Sequence, residues 1–272
     1  FAIAHFDGRS AALQSDEIAG INFIYPKTVS TAQIKYADVN GDGKADALYF
    51  DTFRSGAVWV SLSTGASFAA PEMWAQYAPS TPGQIKYFDI DGDGKADALH
   101  FDTDGALRVG ISTGSGFTTP TIWLQHGPST SEQLQYVDVN GDGKADALYF
   151  DTLRSNGIWV SLSTGSGFMP PEMWLQHGAS TPDQIQYVDV NGDGKADALY
   201  FDTSRSNGVW VSLSTGTAFG SGGLWLQHGD SNPDQIKYID VNGDGNADAL
   251  YFDTFRSKSV WLSPSTGEGV IA

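Results

Sequence analysis

A nine-residue string rich in carboxylates occurs five times in the chain, first as Asp38-Val-Asn-Gly-Asp-Gly-Lys-Ala-Asp46. Oxygen-bearing side chains occupy positions 1, 3, 5 and 9, and glycine occupies position 6. This spacing suits a short loop that wraps around a hard cation, and we predict about five bound calcium ions, one per loop. The predicted ligands, with position 7 contributing its backbone carbonyl, are Asp38, Asn40, Asp42, Lys44, Asp46, Asp89, Asp91, Asp93, Lys95, Asp97, Asp138, Asn140, Asp142, Lys144, Asp146, Asp189, Asn191, Asp193, Lys195, Asp197, Asp240, Asn242, Asp244, Asn246 and Asp248.

A simpler interpretation is that the Asp-Gly and Asn-Gly pairs only make hairpin turns. Five copies that keep every oxygen ligand favour a metal site instead, and an all-oxygen set favours calcium over zinc. A helical EF-hand needs glutamate at position 12, where this chain has tyrosine or histidine, as in Tyr49 and His100. We therefore expect each loop to connect two strands.

The strings begin 51, 49, 51 and 51 residues apart, so the chain is built from repeats. A complete repeat contains four short segments of β-forming residues separated by turn residues, and no segment has a helical period. We predict an all-β fold in which residues 1–272 form a single domain, a five-bladed β-propeller of four-stranded antiparallel blades. The predicted blades span about residues 33–78, 84–127, 133–178, 184–229 and 235–272.

The last repeat stops before its fourth strand, and residues 20–26 have the spacing of such a strand. We therefore expect residues 20–32 to provide a closing strand and a linker, with residues 1–19 as an N-terminal extension. The alternative is that residues 1–30 form a separate cap. The chain starts without methionine or an apolar leader, so we expect a processed or truncated N-terminus.

A second repeated set of residues is predicted at the face opposite the metal loops. It combines a Trp-Leu-Gln-His segment in the fourth strand with an Arg-Ser-Asn turn between the second and third strands. An aromatic ring, an amide, an imidazole and a guanidinium together suit a neutral sugar, which offers hydroxyls and an apolar C–H face. The candidate sugar-binding residues are Trp74, Gln76, Tyr77, Trp123, Gln125, His126, Trp174, Gln176, His177, Trp225, Gln227, His228, Arg154, Asn156, Arg205 and Asn207.

A structural role competes with this assignment, because tryptophan on an outer strand more often packs between blades than binds sugar. The inner residues Trp59, Trp159, Trp210 and Trp261 are predicted to serve packing alone. The second repeat departs from the pattern, since its turn is shorter and Arg108 replaces the inner tryptophan. Any sugar site that depends on that turn is therefore in doubt.

The acidic composition limits the classes of partner. With 32 acidic and 15 basic residues, the formal net charge is −17, which opposes binding to nucleic acid and to anionic membrane surfaces. Sixteen of the acidic residues lie in the five loops, so five dications would bring the formal charge to −7. No run of about 18 apolar residues occurs, so membrane insertion is not expected. The chain has no cysteine, which excludes disulfides and thiolate chemistry.

The loops and their flanking strands resemble the FG-GAP (VCBS-type) repeats of integrin alpha-subunit propellers over residues 33–266. The resemblance implies a propeller fold, calcium in the loops and a secreted or extracellular location. Such repeats are similar to those of several fungal and bacterial lectins and of secreted surface proteins. Residues 13–25 separately resemble the last helix of matrixin-type metalloproteases, but the His-Glu-x-x-His zinc motif is absent and His5 has no partner at that spacing.

Our leading hypothesis is a secreted, calcium-stabilised, multivalent lectin that binds glycans or glycoproteins at its blade edges. The alternative is a non-catalytic adhesion or accessory module of a larger secreted protein. An enzyme is not expected, because no carboxylate pair stands apart from the loops and the repeated Phe-Asp-Thr strand ends. The sequence leaves open which sugar is bound, how many sites are active and whether the chain oligomerises.

Overall fold

A computed structural model of the chain describes residues 34–51, 56–77, 84–102, 104–125, 134–151, 155–176, 184–202, 206–227, 233–253 and 257–269. Within these residues the fold is all-β, and no helix has the length and apolar character of a membrane span. The strands are β1 (Ile34–Ala37), β2 (Asp46–Phe50), β3 (Ala57–Ser61), β4 (Glu72–Gln76), β5 (Ile85–Phe88), β6 (Asp97–Phe101), β7 (Ala106–Gly110), β8 (Thr121–Gln125), β9 (Leu134–Val137), β10 (Asp146–Asp151), β11 (Gly157–Ser161), β12 (Glu172–Gln176), β13 (Ile185–Val188), β14 (Asp197–Asp202), β15 (Gly208–Ser212), β16 (Gly223–Gln227), β17 (Ile236–Ile239), β18 (Asp248–Phe252) and β19 (Val260–Ser263).

The strands form five antiparallel sheets, one for each predicted repeat, with neighbours in order of sequence. The first four repeats contain β1–β4, β5–β8, β9–β12 and β13–β16, and the fifth contains β17–β19. The prediction of an all-β protein built from antiparallel repeats is confirmed. The predicted closing strand within residues 20–32 lies outside the described residues, as does the extension over residues 1–19. The core clusters among the described residues join consecutive sheets, and the closed five-bladed ring stays a prediction.

The alternation of side chains along each strand gives every sheet two packed faces. In β10, Leu148 and Phe150 pack toward the fourth repeat, whereas Ala147 and Tyr149 pack toward the second. Successive side chains of a strand point to opposite faces, so an unbroken apolar segment of this kind fits a sheet that is covered on both sides. The second, third and fourth repeats are therefore each held between two others.

The hydrophobic core lies between repeats rather than within them. In one of the four clusters, Leu148, Ile158 and Val160 of the third repeat pack against Ile185 and Ala196 of the fourth. Clusters of the same composition join the first repeat to the second, the second to the third and the fourth to the fifth. Because each repeat buries the apolar face of the one before it, the repeats depend on their neighbours for stability.

Buried hydrogen bonds reinforce each contact between repeats. The Ser163 hydroxyl of the third repeat donates to the carbonyl of Ile90 in the second at 2.6 Å, and this serine is buried. The Ala145 amide donates to the carbonyl of Asp89 at 2.8 Å. The equivalent serine bonds, at 2.5–2.6 Å, join Ser112 to Val39, Ser214 to Val139 and Ser265 to Val190. Each repeat is thus anchored to the acidic loop of the repeat before it.

The two ends of this row of sheets expose surfaces that are buried elsewhere. Val241 of the fifth repeat is 51% exposed, whereas the equivalent Val39 of the first repeat is 0% exposed. In the first repeat Ala45 is exposed, whereas the equivalent Ala96 is buried. Among the described residues, each end of the row therefore exposes a position that is buried in the contacts between consecutive repeats.

Replacing Ser163 with alanine should lower the free energy of unfolding by about 1–2 kcal/mol, because the change removes a buried hydrogen bond between two repeats. Urea denaturation followed by tryptophan fluorescence measures the change. Ser166 is an exposed serine of the same turn, and Ser166→Ala should alter the free energy of unfolding by less than about 0.5 kcal/mol. Equal losses in the two variants would contradict the linking role of Ser163.

Candidate functional site

The five acidic loops share one backbone geometry, which is held by the carboxylate at position 1. In the first loop Asp38 accepts the amide N–H groups of Gly41 and Gly43, both at 2.7 Å. The two glycines have φ values of +78° and +79°, in the left-handed region that disfavours side chains. The bond from position 4 to position 1 is 2.7 Å long in all five loops. The repeated glycines therefore set the shape of the loop.

The aspartate at position 9 is fully buried in every loop. In the second repeat Asp97 accepts the amide of Ile90 at 3.1 Å and that of Ser112 at 2.7 Å. This one carboxylate joins the acidic loop to the Ser-Thr-Gly turn after the third strand. Burial raises the pKa of Asp97 to about 7, and the two amide bonds oppose that rise only in part. Burial likewise raises the pKa of Asp146 and Asp197 to about 6.

Position 7 lies beside the carboxylate of position 5. The Lys44 ammonium is 2.7 Å from an Asp42 carboxylate oxygen, and hydrogen bonding to Lys44 lowers the pKa of Asp42. In the fifth loop the Asn246 amide donates to Asp244 at 3.0 Å instead. The same lysine pairing occurs at Lys95, Lys144 and Lys195. These pairs lie at the surface with both partners partly exposed and contribute little stability, so their main effect is to balance the charge at the loop rim.

The second loop brings three carboxylates close together. Asp89, Asp91 and Asp97 each have an oxygen within 4.8 Å of the others, and no other group of three or more acidic, histidine or cysteine side chains among the described residues meets this distance. The other loops have asparagine at position 3, and thus one carboxylate fewer. Burial, together with the neighbouring Asp93, raises the pKa of Asp91. This anionic, all-oxygen donor set fits a hard divalent cation such as calcium.

Two of the outer tryptophans predicted to bind sugar are buried between repeats. Trp74 and Trp174 are each 7% exposed. They pack edge-to-face on Phe117 and Phe219 of the following repeats, with ring centroids 5.4 and 5.5 Å apart. Trp123 is half-buried and makes the same contact with the phenyl ring of the third repeat. The structure therefore gives these side chains packing contacts and leaves little indole surface at Trp74 and Trp174.

A cleft of about 380 Å³ lies between the second and third repeats. Tyr149 and Trp159, which pair across β10 and β11, line it together. Gln125 reaches it from the end of β8, and Asp151 and Ser155 supply further polar groups. The remaining lining residues are Ala147, Ser161 and Pro171. The cleft thus combines two aromatic rings with an amide, a carboxylate and a hydroxyl.

A hydrogen-bond relay fixes the aromatic part of the cleft. The Trp159 indole N–H donates to the Ser155 hydroxyl oxygen at 3.0 Å, and that hydroxyl donates to the Asp151 carboxylate at 2.9 Å. The same relay occurs in two further repeats as Trp210–Ser206–Asp202 and Trp261–Ser257–Asp253. In the second repeat Arg108 donates instead to Asp102 at 3.0 Å. Among the described residues, the relay is therefore seen in the third, fourth and fifth repeats, which all have the inner tryptophan and the longer turn.

The structure brings only part of the predicted sugar-binding set to the cleft. Gln125 lines it, and the other predicted glutamines occupy the same exposed strand end in their own repeats: Gln76, Gln176 and Gln227. Asn156 and Asn207 follow the relay serines and have φ values of +46°. Trp225 is half-buried in the fourth repeat. The predicted residues that lie outside the described ranges are His126, His177, His228, Arg154 and Arg205.

Sequence reasoning missed the aromatic lining of this cleft. The sequence assigns Trp159 to packing alone, whereas the structure leaves it half-buried beside Tyr149 at the cleft. The usable signal is the repeated spacing of Asp151, Ser155 and Trp159, because an aspartate four residues before a serine can hold the hydroxyl that orients the indole.

The fold is similar to part of a Tc holotoxin pore from Photorhabdus luminescens, with a TM-score of 0.62 and 19% sequence identity. That likeness covers 89% of this chain and 12% of the toxin chain. The Vibrio cholerae biofilm matrix protein Bap1 is also similar, with a TM-score of 0.36, 16% identity and coverage of 87% of this chain and 36% of Bap1. Comparison with curated protein sequences gives no match.

The match to a family model covers the first four acidic loops and strands around them. The model described as an FG-GAP-like repeat matches residues 38–100, 89–149 and 138–200. These overlapping matches span residues 38–200, which is more than half of the 272 residues. None of these comparisons supports a relation to matrixins over residues 13–25, which lie outside the described residues. The chain belongs to the family of proteins with FG-GAP-like repeats.

Proposed function

We propose that this chain is a calcium-stabilised, non-catalytic repeat module that binds carbohydrate in clefts between its repeats. The observation that carries the proposal is the cleft between the second and third repeats, where Tyr149 and Trp159 lie beside Gln125, Asp151 and Ser155. Binding at this cleft moves the sugar site from the outer tryptophans, which the sequence favours, to the inner ones.

The chemistry of the cleft matches the two kinds of surface that a sugar offers. Its C–H face stacks on the rings of Tyr149 and Trp159, and its hydroxyls exchange hydrogen bonds with the Gln125 amide and the Asp151 carboxylate. The volume of about 380 Å³ falls within the usual range of about 300–1,000 Å³ for small-molecule sites. Because Ser155 already holds the indole in place, binding costs little side-chain entropy there.

Repetition makes the proposed binding multivalent. The relay around the inner tryptophan occurs in the third, fourth and fifth repeats. Several weak sites on one rigid molecule bind a surface with many sugars far more tightly than one site does. The proposed partners are therefore glycans or glycoproteins that present the same sugar repeatedly.

Calcium is proposed to act on stability rather than directly on the sugar. Asp146 and Asp151 begin and end β10, so the loop carboxylate and the relay carboxylate lie about 17 Å apart along the strand. A cation at each loop would offset the repulsion among its carboxylates, and about five ions would fill the five loops. A secreted location is part of this proposal, since millimolar extracellular calcium fills even weak loops.

An adhesion or accessory module of a larger secreted protein is the second candidate. It is favoured by the exposed apolar surface of the fifth repeat, where Val260 and Trp261 are each 59% exposed. Exposed apolar patches of this kind often mark contacts with further protein. Both candidates are proposed to be non-catalytic, since in the sequence no carboxylate pair stands apart from the acidic loops and the repeated Phe-Asp-Thr strand ends.

We also propose that the five sheets close into a ring, with residues 20–26 adding the fourth strand to the fifth repeat. The support is that Val241 and Ala45 are exposed, whereas the equivalent residues at the contacts between consecutive repeats are buried. A contact between the fifth and first repeats would bury both. The three-stranded fifth sheet also leaves β19 as an edge among the described residues, and a long exposed edge strand is usually covered in native proteins.

Glycan-array binding in calcium buffer, followed by calorimetry with the best monosaccharide, measures the proposed activity. Trp159→Ala should remove one site from the measured stoichiometry, because it takes away the stacking surface of the cleft. The control is Phe68→Ala, which removes an exposed aromatic ring of the first repeat outside the cleft and should leave the stoichiometry unchanged. A blank array with folded protein would favour the accessory module instead.

Metal-free protein should lose stability as the pH rises from about 4 to about 7. The folded-state pKa values of Asp97, Asp146 and Asp197 are about 7, 6 and 6, above the ordinary value of 3.8, so the folded protein binds protons more tightly than the unfolded chain. Stability from these groups is full below about pH 4 and is lost as the pH rises through the folded-state values. Scanning calorimetry in EDTA measures this trend.

Calcium should reverse that loss, because it binds the deprotonated carboxylates. The melting temperature should therefore rise more on adding calcium at about pH 7.5 than at about pH 5.5. The matched control is magnesium, which holds its water and prefers fewer carboxylates, and should give a smaller rise. An unchanged melting temperature after chelation at neutral pH would count against metal in the loops.

Deleting residues 1–32 should lower the urea midpoint of unfolding, because β19 would lose its proposed neighbour. Deleting residues 1–19 alone should leave the midpoint unchanged, since that segment is outside the proposed closing strand. Small-angle scattering of the two shortened proteins provides a second readout, with a larger radius expected for the deletion of residues 1–32. Equal midpoints in both would contradict ring closure by residues 20–26.

A further inference from the structure

The interface between the first and second repeats differs in composition from the next one, where the cleft lies. Sequence position and strand register relate four residues of the two interfaces. The first interface has Tyr77, His100, Arg108 and Gly110. The equivalent residues of the next interface are His126, Tyr149, Trp159 and Ser161, in the same order. The first repeat thus contributes the large side chain of Tyr77. The second repeat faces it with residues that are smaller or more polar than those of the third repeat at the equivalent positions.

Tyr77 occupies the region of this interface that corresponds to the cleft. Its ring centroid lies 5.0 Å from that of His100, and a Cβ atom at Gly110 would lie 3.2 Å from its hydroxyl oxygen. The side chain is 7% exposed, and its backbone amide donates to the Gly56 carbonyl at 2.8 Å. The phenol therefore lies between the two positions that correspond to Tyr149 and Ser161, both of which line the open cleft.

The absence of a side chain at Gly110 is part of this fit. Serine occupies the equivalent position of the next interface, and here its Cβ would already crowd the phenol hydroxyl and the Thr118 carbonyl, at 3.2 and 3.0 Å. The hydroxyl of Tyr77 and Nε2 of His100 are buried without a hydrogen-bond partner among the described residues. The phenol is therefore held in this space by shape and burial rather than by a polar partner.

We infer that Tyr77 closes the first inter-repeat cleft, so that this interface is not a carbohydrate site although the following ones are. The inference rests on the proposed function, which it refines by setting the number of binding sites. The third–fourth interface has the same residue types as the open cleft, with Tyr200, Trp210 and Ser212 at the equivalent positions. It lacks the histidine, arginine and glycine of the first interface. The residue at the end of the fourth strand and the small residue opposite it therefore determine together whether a cleft is open.

Nitration by tetranitromethane, mapped by mass spectrometry, tests the position of Tyr77 without any sugar. Tyr36 is 64% exposed and serves as the internal control. Tyr77 should react about tenfold more slowly than Tyr36, because the reagent needs an accessible phenolate. Gly110→Ser should push the phenol outward and raise its rate toward that of Tyr36. Equal rates for the two tyrosines in the unmodified protein would overturn the inference.

A cavity-filling experiment tests the same point by an independent route. Tyr77→Gly should leave a space shaped like a phenol, and p-cresol, which has the tyrosine side-chain structure, should raise the melting temperature of this variant. Tyr77→Phe keeps the ring and should show no response to p-cresol. A folded Tyr77→Gly protein that p-cresol does not stabilise would overturn the inference, and the nitration result stands if this variant does not fold.

Sugar stoichiometry separates this inference from the proposed function. The probes are the methyl glycosides of glucose, galactose, mannose, fucose and N-acetylglucosamine, each titrated alone by calorimetry. Replacing the four residues by those of the next interface, as Tyr77→His, His100→Tyr, Arg108→Trp and Gly110→Ser, should add one site. If this variant folds and its number of sites is unchanged, the inference is overturned. If the unmodified protein binds none of the sugars, the proposed function is overturned, and the nitration test still decides the position of Tyr77.

Discussion

The buried carboxylate at position 9 of each acidic loop is the interaction on which the rest of the structure depends. Asp97 accepts the amides of Ile90 and Ser112, while the Ser112 hydroxyl reaches the Val39 carbonyl in the preceding repeat. Since the pattern recurs, a continuous series of hydrogen bonds passes from the first loop to the fifth. A buried charge is costly unless its oxygens are bonded, so the loop, the turn and the contact between repeats are expected to form together.

The two ends of each sheet are held by different kinds of contact. The loop end is fixed by bonds within a repeat and between repeats, and any metal there would strengthen contacts that already exist. At the opposite end of the sheet, the serine of the turn before the third strand, as in Ser155, bonds to an aspartate and an indole of its own repeat. Binding chemistry can therefore change at that end without weakening the row of repeats.

Local patterns predict the strands and loops because the residues that determine them are close in sequence. The glycines of the loop need positive φ, and the alternating apolar residues of β10 need two covered faces, whatever the neighbours are. The role of each tryptophan could not be predicted in this way. Trp159 and Trp174 lie on neighbouring strands, and each has an apolar residue on either side in the sequence. Phe219 of the next repeat covers Trp174, whereas the slender Gln125 leaves space beside Trp159. That difference comes from residues about 34–45 positions away, which no local pattern contains.

The two kinds of site therefore have to be counted differently. A metal loop draws all of its predicted ligands from nine consecutive residues, so each repeat has one such loop. A difference such as Asp91, where the other loops have asparagine, therefore affects only its own loop. A cleft is made by two repeats, and its state depends on a pair such as Tyr77 and Gly110 that lie in different repeats. Reading a single repeat predicts the metal ligands, but only the pairing of neighbours determines which of the proposed sugar clefts are open. In a chain of nearly identical repeats, the number of loops is thus an upper limit on the number of clefts rather than a measure of it.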